Sequence, residues 1–381
     1  MLVRAVLRLL CLLAALAVLG AAGRAATAQP ATATVAEPIA TRTQIEFPRG
    51  MHFAADIPVK DPEVIDRVDL LYRIGGDETL NLASVPQLDR DVDAGLLGVR
   101  VFVDMQTSFV PMGTSLTFHW ELWRDGTVVL TTRDEQAMWM DPRFAWTSMA
   151  TDQVVLYSYD LSEAFARHIL DMAQATLTDL EQRYELDQLQ PISIWIYASG
   201  EDFRGTQQSN SREAVAGLSY PGAGVIAAII PDGDERELGR VLPHELSHHA
   251  IYQATLNPFT LPPLWFDEGI ATHYQTGGTD HYGAMVARAA EEGRLFDIAS
   301  LNASFPFQPA QATLAYASSW SIVAYIEATW GDAGIARLID AFAQGLAPDA
   351  AVRTALGIHL DELSDGWHRW VSEGAEGEIA A

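Results

Sequence analysis

The chain reads as an α+β protein: an N-terminal β-sandwich over residues 41–147, followed by a mainly helical domain, 148–375, that carries a small sheet. Three observations point there. Residues 41 to about 145 hold a series of β-rich or alternating runs separated by turn residues. From Asp160 onward the apolar residues recur at helical spacing instead. Within that helical half, two apolar runs rich in Ile, Val and Ala, at 192–197 and 224–230, are too short for helices and end in turn residues.

The first 28 residues hold Arg4 and Arg8, an apolar run from Leu9 to Leu19, then Ala26-Thr27-Ala28 before Gln29. That is the charged, apolar and small-residue order of a cleaved signal peptide, and the run is short for a bilayer span of roughly twenty residues. Export to the cell envelope or the exterior is therefore expected, an uncleaved anchor being the alternative. Cys11, the one cysteine, leaves with the signal, so neither disulfides nor thiolates serve the mature protein. The formal charge of -26, or -29 once Arg4, Arg8 and Arg24 depart, opposes nucleic acid and anionic membranes as partners.

After an Ala/Thr/Pro-rich linker, 29–40, strands are expected at Gln44–Phe47, Val68–Ile74, Val99–Met105, Ser115–Trp123 and Thr127–Thr132. The last two flank Asp125-Gly126, a pair that suits a tight hairpin. The strand count suggests an immunoglobulin-like sandwich, without the Cys-Trp-Cys pattern of antibody domains. Phe118, Trp120 and Leu122 alternate with His119, Glu121 and Trp123, so these aromatics, with Trp139, read as core and not as a ligand stripe.

In the helical half, Phe165, Ile169, Met172, Thr176, Leu180 and Tyr184 form one stripe of a long helix. After the strand at 192–197 and the β segment at 224–230, Asp234 with Glu237 makes a capping box for the next helix. Pro262-Pro263 open a further helix. More follow at about 281–294, 313–330, 332–345 and 360–373.

The helix capped by Asp234 carries His244-Glu245-Leu246-Ser247-His248. Positions i and i+4 stack on one helix face, so both imidazoles can meet one ion while Glu245 faces the same cleft. A catalytic zinc takes three protein ligands and keeps a position open. Glu268, nineteen intervening residues after His248 in Trp265-Phe266-Asp267-Glu268-Gly269, is the natural third ligand. One Zn2+ per chain is expected, with Glu245 as general base. His249, Asp267 and His273 read as ordinary packing or surface residues, Gly269 as a close approach between the two site helices, and Thr272 as a hydrogen-bonding support to a ligand.

The HELSH string together with Leu264-Trp265-Phe266-Asp267-Glu268-Gly269-Ile270-Ala271-Thr272-His273-Tyr274 resembles the gluzincin zinc metallopeptidases, and most of all their peptidase MA-like members. The metzincin continuation, with a glycine and a third histidine, is missing after His248. The resemblance spans about residues 145 to 370. It implies a zincin-like catalytic domain and a peptidase acting on peptides or proteins. It also implies a substrate-pairing rim, placed at Gly217 to Ile230, and an oxyanion donor, for which Tyr316 is the candidate and Tyr325 the core alternative. Gluzincin aminopeptidases keep an acid in that rim to hold a free amine, and this rim has none, which favours an endopeptidase. Two other readings stay open: an inactive extracellular binding or adhesion module, and a hydrolase of some non-peptide amide.

Overall fold

A computed structural model describes residues 34–374 apart from 77–78, 108, 205 and 207–215. The expected signal peptide and residues 29–33 of the linker lie outside the described residues. No described helix is long and apolar enough to cross a membrane.

The N-terminal part comprises β1 (Thr34–Ala36), β2 (Ala40–Glu46), β3 (Gly50–Pro58), β4 (Arg67–Ile74), β5 (Asn81–Ser84), β6 (Leu88–Asp91), β7 (Leu96–Asp104), β8 (Thr114–Arg124), β9 (Thr127–Thr132) and β10 (Glu135–Trp139). One sheet runs β2-β3-β7-β6 and the other β1-β9-β8-β4-β5, with β10 also on β8. Lettered from β2, this is the A-B-E-D sheet facing G-F-C, with β5 in the place of C′: the immunoglobulin-like order. Alternation builds the core, since Met51, Phe53, Ala55 and Ile57 of β3 face Val68, Leu70, Phe118 and Trp120 across the sandwich. Asp125 and Gly126 both take positive φ, 49° and 75°, as a two-residue hairpin turn requires. Trp123 is half-buried beneath the Arg67 guanidinium, 4.0 Å from its ring centroid.

The central strand β3 is not among the expected runs. Ala54, Ala55 and Asp56 lower its β propensity, yet its inward face alternates without a break. Burial between two sheets outweighs propensity here.

The second part comprises β11 (Thr147–Ala150), β12 (Val154–Ser158), α1 (Glu163–Arg183), β13 (Ile192–Tyr197), β14 (Gly217–Tyr220), β15 (Val225–Ile229), α2 (Glu235–Thr255), α3 (Leu264–His273), α4 (Tyr282–Glu291), α5 (Pro309–Trp330), α6 (Asp332–Ala343), α7 (Pro348–Leu356) and α8 (Leu360–Ser372). Its sheet is ordered β11-β12-β13-β15-β14, with β12, β13 and β15 parallel and the edge strand β14 antiparallel to β15. The rim is thus two strands joined by the turn Pro221–Ala223, where the β segment was expected only at 224–230. The α1 helix is capped by Ser162 and α2 by Asp234, whose carboxylate accepts from the Glu237 amide at 3.0 Å. Glu237 turns its own carboxylate to Arg240, so only half of the expected capping box forms.

One face of this sheet, with Leu156, Ile194, Ile196 and Ile226, packs under α1 and α2. The other face, with Trp195, Tyr197, Val225 and Ala227, packs against Met112, Phe144 and Trp146. Tyr157 stacks on Trp195 at 4.0 Å, and Trp146 meets it edge-on at 4.9 Å. The expected boundary at 147/148 therefore falls beside a hydrophobic cluster to which both parts contribute. A chain starting near 150 would lay Trp195 and Tyr197 open to water.

Candidate metal centre and active site

Pro243 sits inside α2, one residue before His244. It has no N–H to give the carbonyl of Gly239, four residues earlier. That carbonyl instead accepts from the backbone amide of Thr276 at 3.0 Å, and an added Cβ on Gly239 would lie 2.1 Å from Thr276 Oγ1. The chain leaving α3 is thereby fastened to α2. Gln275, in the same turn, brings its amide within 2.8 Å of His244 Nδ1.

This fastening brings the three expected ligands together. His244 Nε2 and His248 Nε2 are 3.2 Å apart, and each lies 3.5 Å from Glu268 Oε2. Ligands bound tetrahedrally at 2.0–2.2 Å stand about 3.3 Å from one another, so the triangle has the dimensions a zinc ion needs. Glu268 Oε2 is buried without a hydrogen-bond partner, as a ligand atom directed at an ion would be. Among the described residues this is the one His/Cys/Asp/Glu cluster able to hold a metal.

Asp267 corrects an expectation. The sequence places it off the site, yet its Oδ2 lies 3.0 Å from His248 Nδ1. The carboxylate accepts a hydrogen bond from Nδ1–H, which orients the ring with Nε2 toward the other two ligands. The signal was available in principle: one position before Glu268, Asp267 starts from the first turn of the same helix and needs only to reach sideways. Burial opposes a charge on His248, but Asp267 and Glu268 outweigh it and hold the imidazole well above its ordinary pKa. Burial, aided by His248, pushes His244 well below. We expect Asp267→Ala to fold normally and weaken zinc about 10- to 100-fold in a competitive chelator titration. Unchanged affinity would reduce Asp267 to a surface residue.

Glu245 enters the same cleft. Burial raises its carboxyl to about 7. Gly217 of the rim comes so close that a Cβ there would stand 2.6 Å from Glu245 Oε1, so only glycine lets the strand approach the acid. Tyr316, from α5, reaches into the cleft with its hydroxyl 3.4 Å from Glu268 Oε1. Burial and the neighbouring Glu268 drive its pKa upward, so it remains a hydrogen-bond donor. Tyr325 packs instead against Gly366 and Trp370 of α8.

Other expectations divide. His249 is buried at 1 % exposure away from the triangle, and His273 pairs with Glu327 at 3.0 Å. Gly269 does permit a close approach, but to α5: an added Cβ would meet Ser319 O at 2.6 Å and Val323 Cγ2 at 2.7 Å. Thr272 supports no ligand, its buried hydroxyl having no partner.

The cleft encloses about 740 Å³ and is walled by β14, α2, the segment Thr260–Leu264 and Tyr316. Its acids, among the described residues, are Glu245, Asp267 and Glu268. Asp202 and Asp232 stand elsewhere, bonded to Tyr159 and Ser162.

No curated protein matches the chain. Among solved structures it is similar, at 12% identity, to a mutant two-domain M1 zinc metallopeptidase bound to L-arginine, covering 89% of this chain and 93% of that one with a TM-score of 0.39. A mutant M1 zinc metallopeptidase from Deinococcus radiodurans is similar at 12% identity, 89% and 94% coverage and a TM-score of 0.40. Yeast LTA4 hydrolase in complex with bestatin follows at 10% identity, 87% and 63% coverage and a TM-score of 0.35. The family profile of the Peptidase MA superfamily matches residues 172–373, a little over half of the chain, and this stretch contains the ligand triangle, Glu245 and Tyr316. The chain belongs to the Peptidase MA superfamily and is a zinc metallopeptidase.

Proposed function

We propose that this peptidase is exported and acts as an endopeptidase, with one zinc per chain and with Glu245 and Tyr316 as its catalytic side chains. The observation that carries the reading is the placement of the triangle and Glu245 beside an edge strand with no spare acid. His244, His248 and Glu268 would hold a zinc ion, which would supply Lewis-acid polarisation of a carbonyl and lower the pKa of water toward about 7. Glu245 accepts the proton of the attacking water and passes it to the leaving amine nitrogen as the C–N bond breaks. The Tyr316 hydroxyl donates a hydrogen bond to the oxygen that gains charge in the tetrahedral intermediate.

The edge of β14, unpaired among the described residues, offers backbone donors and acceptors to an extended substrate. No described carboxylate in the cleft is left over to clamp a substrate amine, Asp267 being engaged by His248. Export rests on the charged, apolar and small-residue order of residues 1–28.

A peptide acetylated at its N-terminus and amidated at its C-terminus is therefore expected to be cut internally, about as fast as its unblocked counterpart. Mass spectrometry of the products distinguishes the cases. Loss of single residues from the free N-terminus, with the blocked peptide untouched, would make the protein an aminopeptidase.

A further inference from the structure

A second groove, about 1020 Å³, runs between the β-sandwich and the catalytic part. Gly76, Ser115 and Met138 line it on the sandwich side, and Ser193, Gly224 and Gln253 on the other. It adjoins the active-site cleft, since Pro221 and Tyr252 line both. In a chain of net charge -26, no Asp, Glu, Lys or Arg among the described residues lines this groove. Gly75, Gly76, Gly222 and Gly224 leave bare backbone along it, and His249 contributes an imidazole with neither ring nitrogen paired. The sandwich also braces the rim, the Phe109 ring lying 5.6 Å from that of Tyr220.

We propose that the groove continues the substrate cleft and holds the flanking residues of a long polypeptide, so that the β-sandwich selects long substrates over short ones. An extended chain paired along β14 from Gly217 leaves that strand at Pro221, where the groove opens. A glycine-rich channel whose described lining carries no charge suits backbone recognition, since that lining repels neither sign of side chain and lets a main chain come close. The inference rests on the peptidase reading.

Gly76 allows a test, because an added Cβ there meets nothing within 4 Å. Gly76→Trp would fill the groove far from the zinc ligands. The probes are fluorescein-labelled, end-blocked peptides of about six and about twenty residues sharing one central sequence, spanning roughly 20 and 65 Å when extended. Binding is measured by anisotropy to the full-length, zinc-loaded Glu245→Gln chain, with and without Gly76→Trp. The long peptide should bind at least about tenfold tighter than the short one, and Gly76→Trp should remove that advantage while leaving the short peptide unaffected. In the active background, kcat/KM should fall for the long peptide alone.

Affinity independent of length, or indifference of the long peptide to Gly76→Trp, would overturn the proposal. Failure of the zinc-loaded native chain to cut either peptide would overturn the peptidase reading instead. The two failures are separable because the groove is read through binding, without turnover.

Discussion

Glu245→Gln is expected to keep its zinc and lose at least a hundredfold in turnover, within the 10² to 10⁴ that general acid/base catalysis commonly contributes. Glutamine has nearly the same shape, so the contact with Gly217 and the packing beneath the rim survive. The three ligand atoms do not include Glu245, so metal affinity should change little. What the amide lacks is a basic oxygen to take a proton from water and return it to the leaving nitrogen. Metal content and single-turnover rate, measured on the same sample, check both halves. A variant that arrives without zinc would make Glu245 a ligand, and one that turns over normally would move the base elsewhere.

Tyr316→Phe should lower kcat by about 10² to 10³ with KM and zinc content nearly unchanged, the loss expected when one donor to a developing oxyanion is removed. The hydroxyl lies half-buried beside Glu268 and is held in its protonated form. Its 3.4 Å contact with Glu268 is long, so losing it should disturb the ligand little. The ring itself packs edge-on against Phe305 at 5.0 Å and would stay in place. A variant with native kcat but a lowered melting temperature would show that Tyr316 only packs.

How much of this was legible in the sequence depended on how local the signal was. His244, Glu245 and His248 share one turn-to-turn face of a single helix, so spacing alone joins them. Glu268 comes from the next helix, and it too was legible, because α3 follows α2 closely and Pro262-Pro263 limit the possible geometry. The Asp267 bond to His248 was missed because helical spacing describes the direction of a side chain at its root and not where a flexible carboxylate ends. The Gly239–Thr276 contact was missed for a different reason. It depends on a hydrogen bond that Pro243 fails to make, and so on a partner far along the chain.

The fold divides in the same way. Strands with β-branched or aromatic residues, such as β4, β8 and β13, were readable, as were the long helices. Strand β3 was hidden by alanines, and β11 and β12 by their brevity. Helix α7, nine residues from Pro348 to Leu356, is also short, and tertiary packing of Ala351, Val352 and Leu356 sustains it. The aromatic contacts from Met138 to Trp146 onto Trp195 are long-range, and no periodicity announces them.

Zinc stoichiometry, measured on the full-length protein alongside casein digestion with and without a strong chelator, decides whether His244, His248 and Glu268 hold a catalytic metal. One zinc per chain is expected, with casein cleavage that stops on chelation and recovers when zinc is restored. Well-folded protein without a transition metal, or digestion that continues undiminished in the chelator, would contradict it.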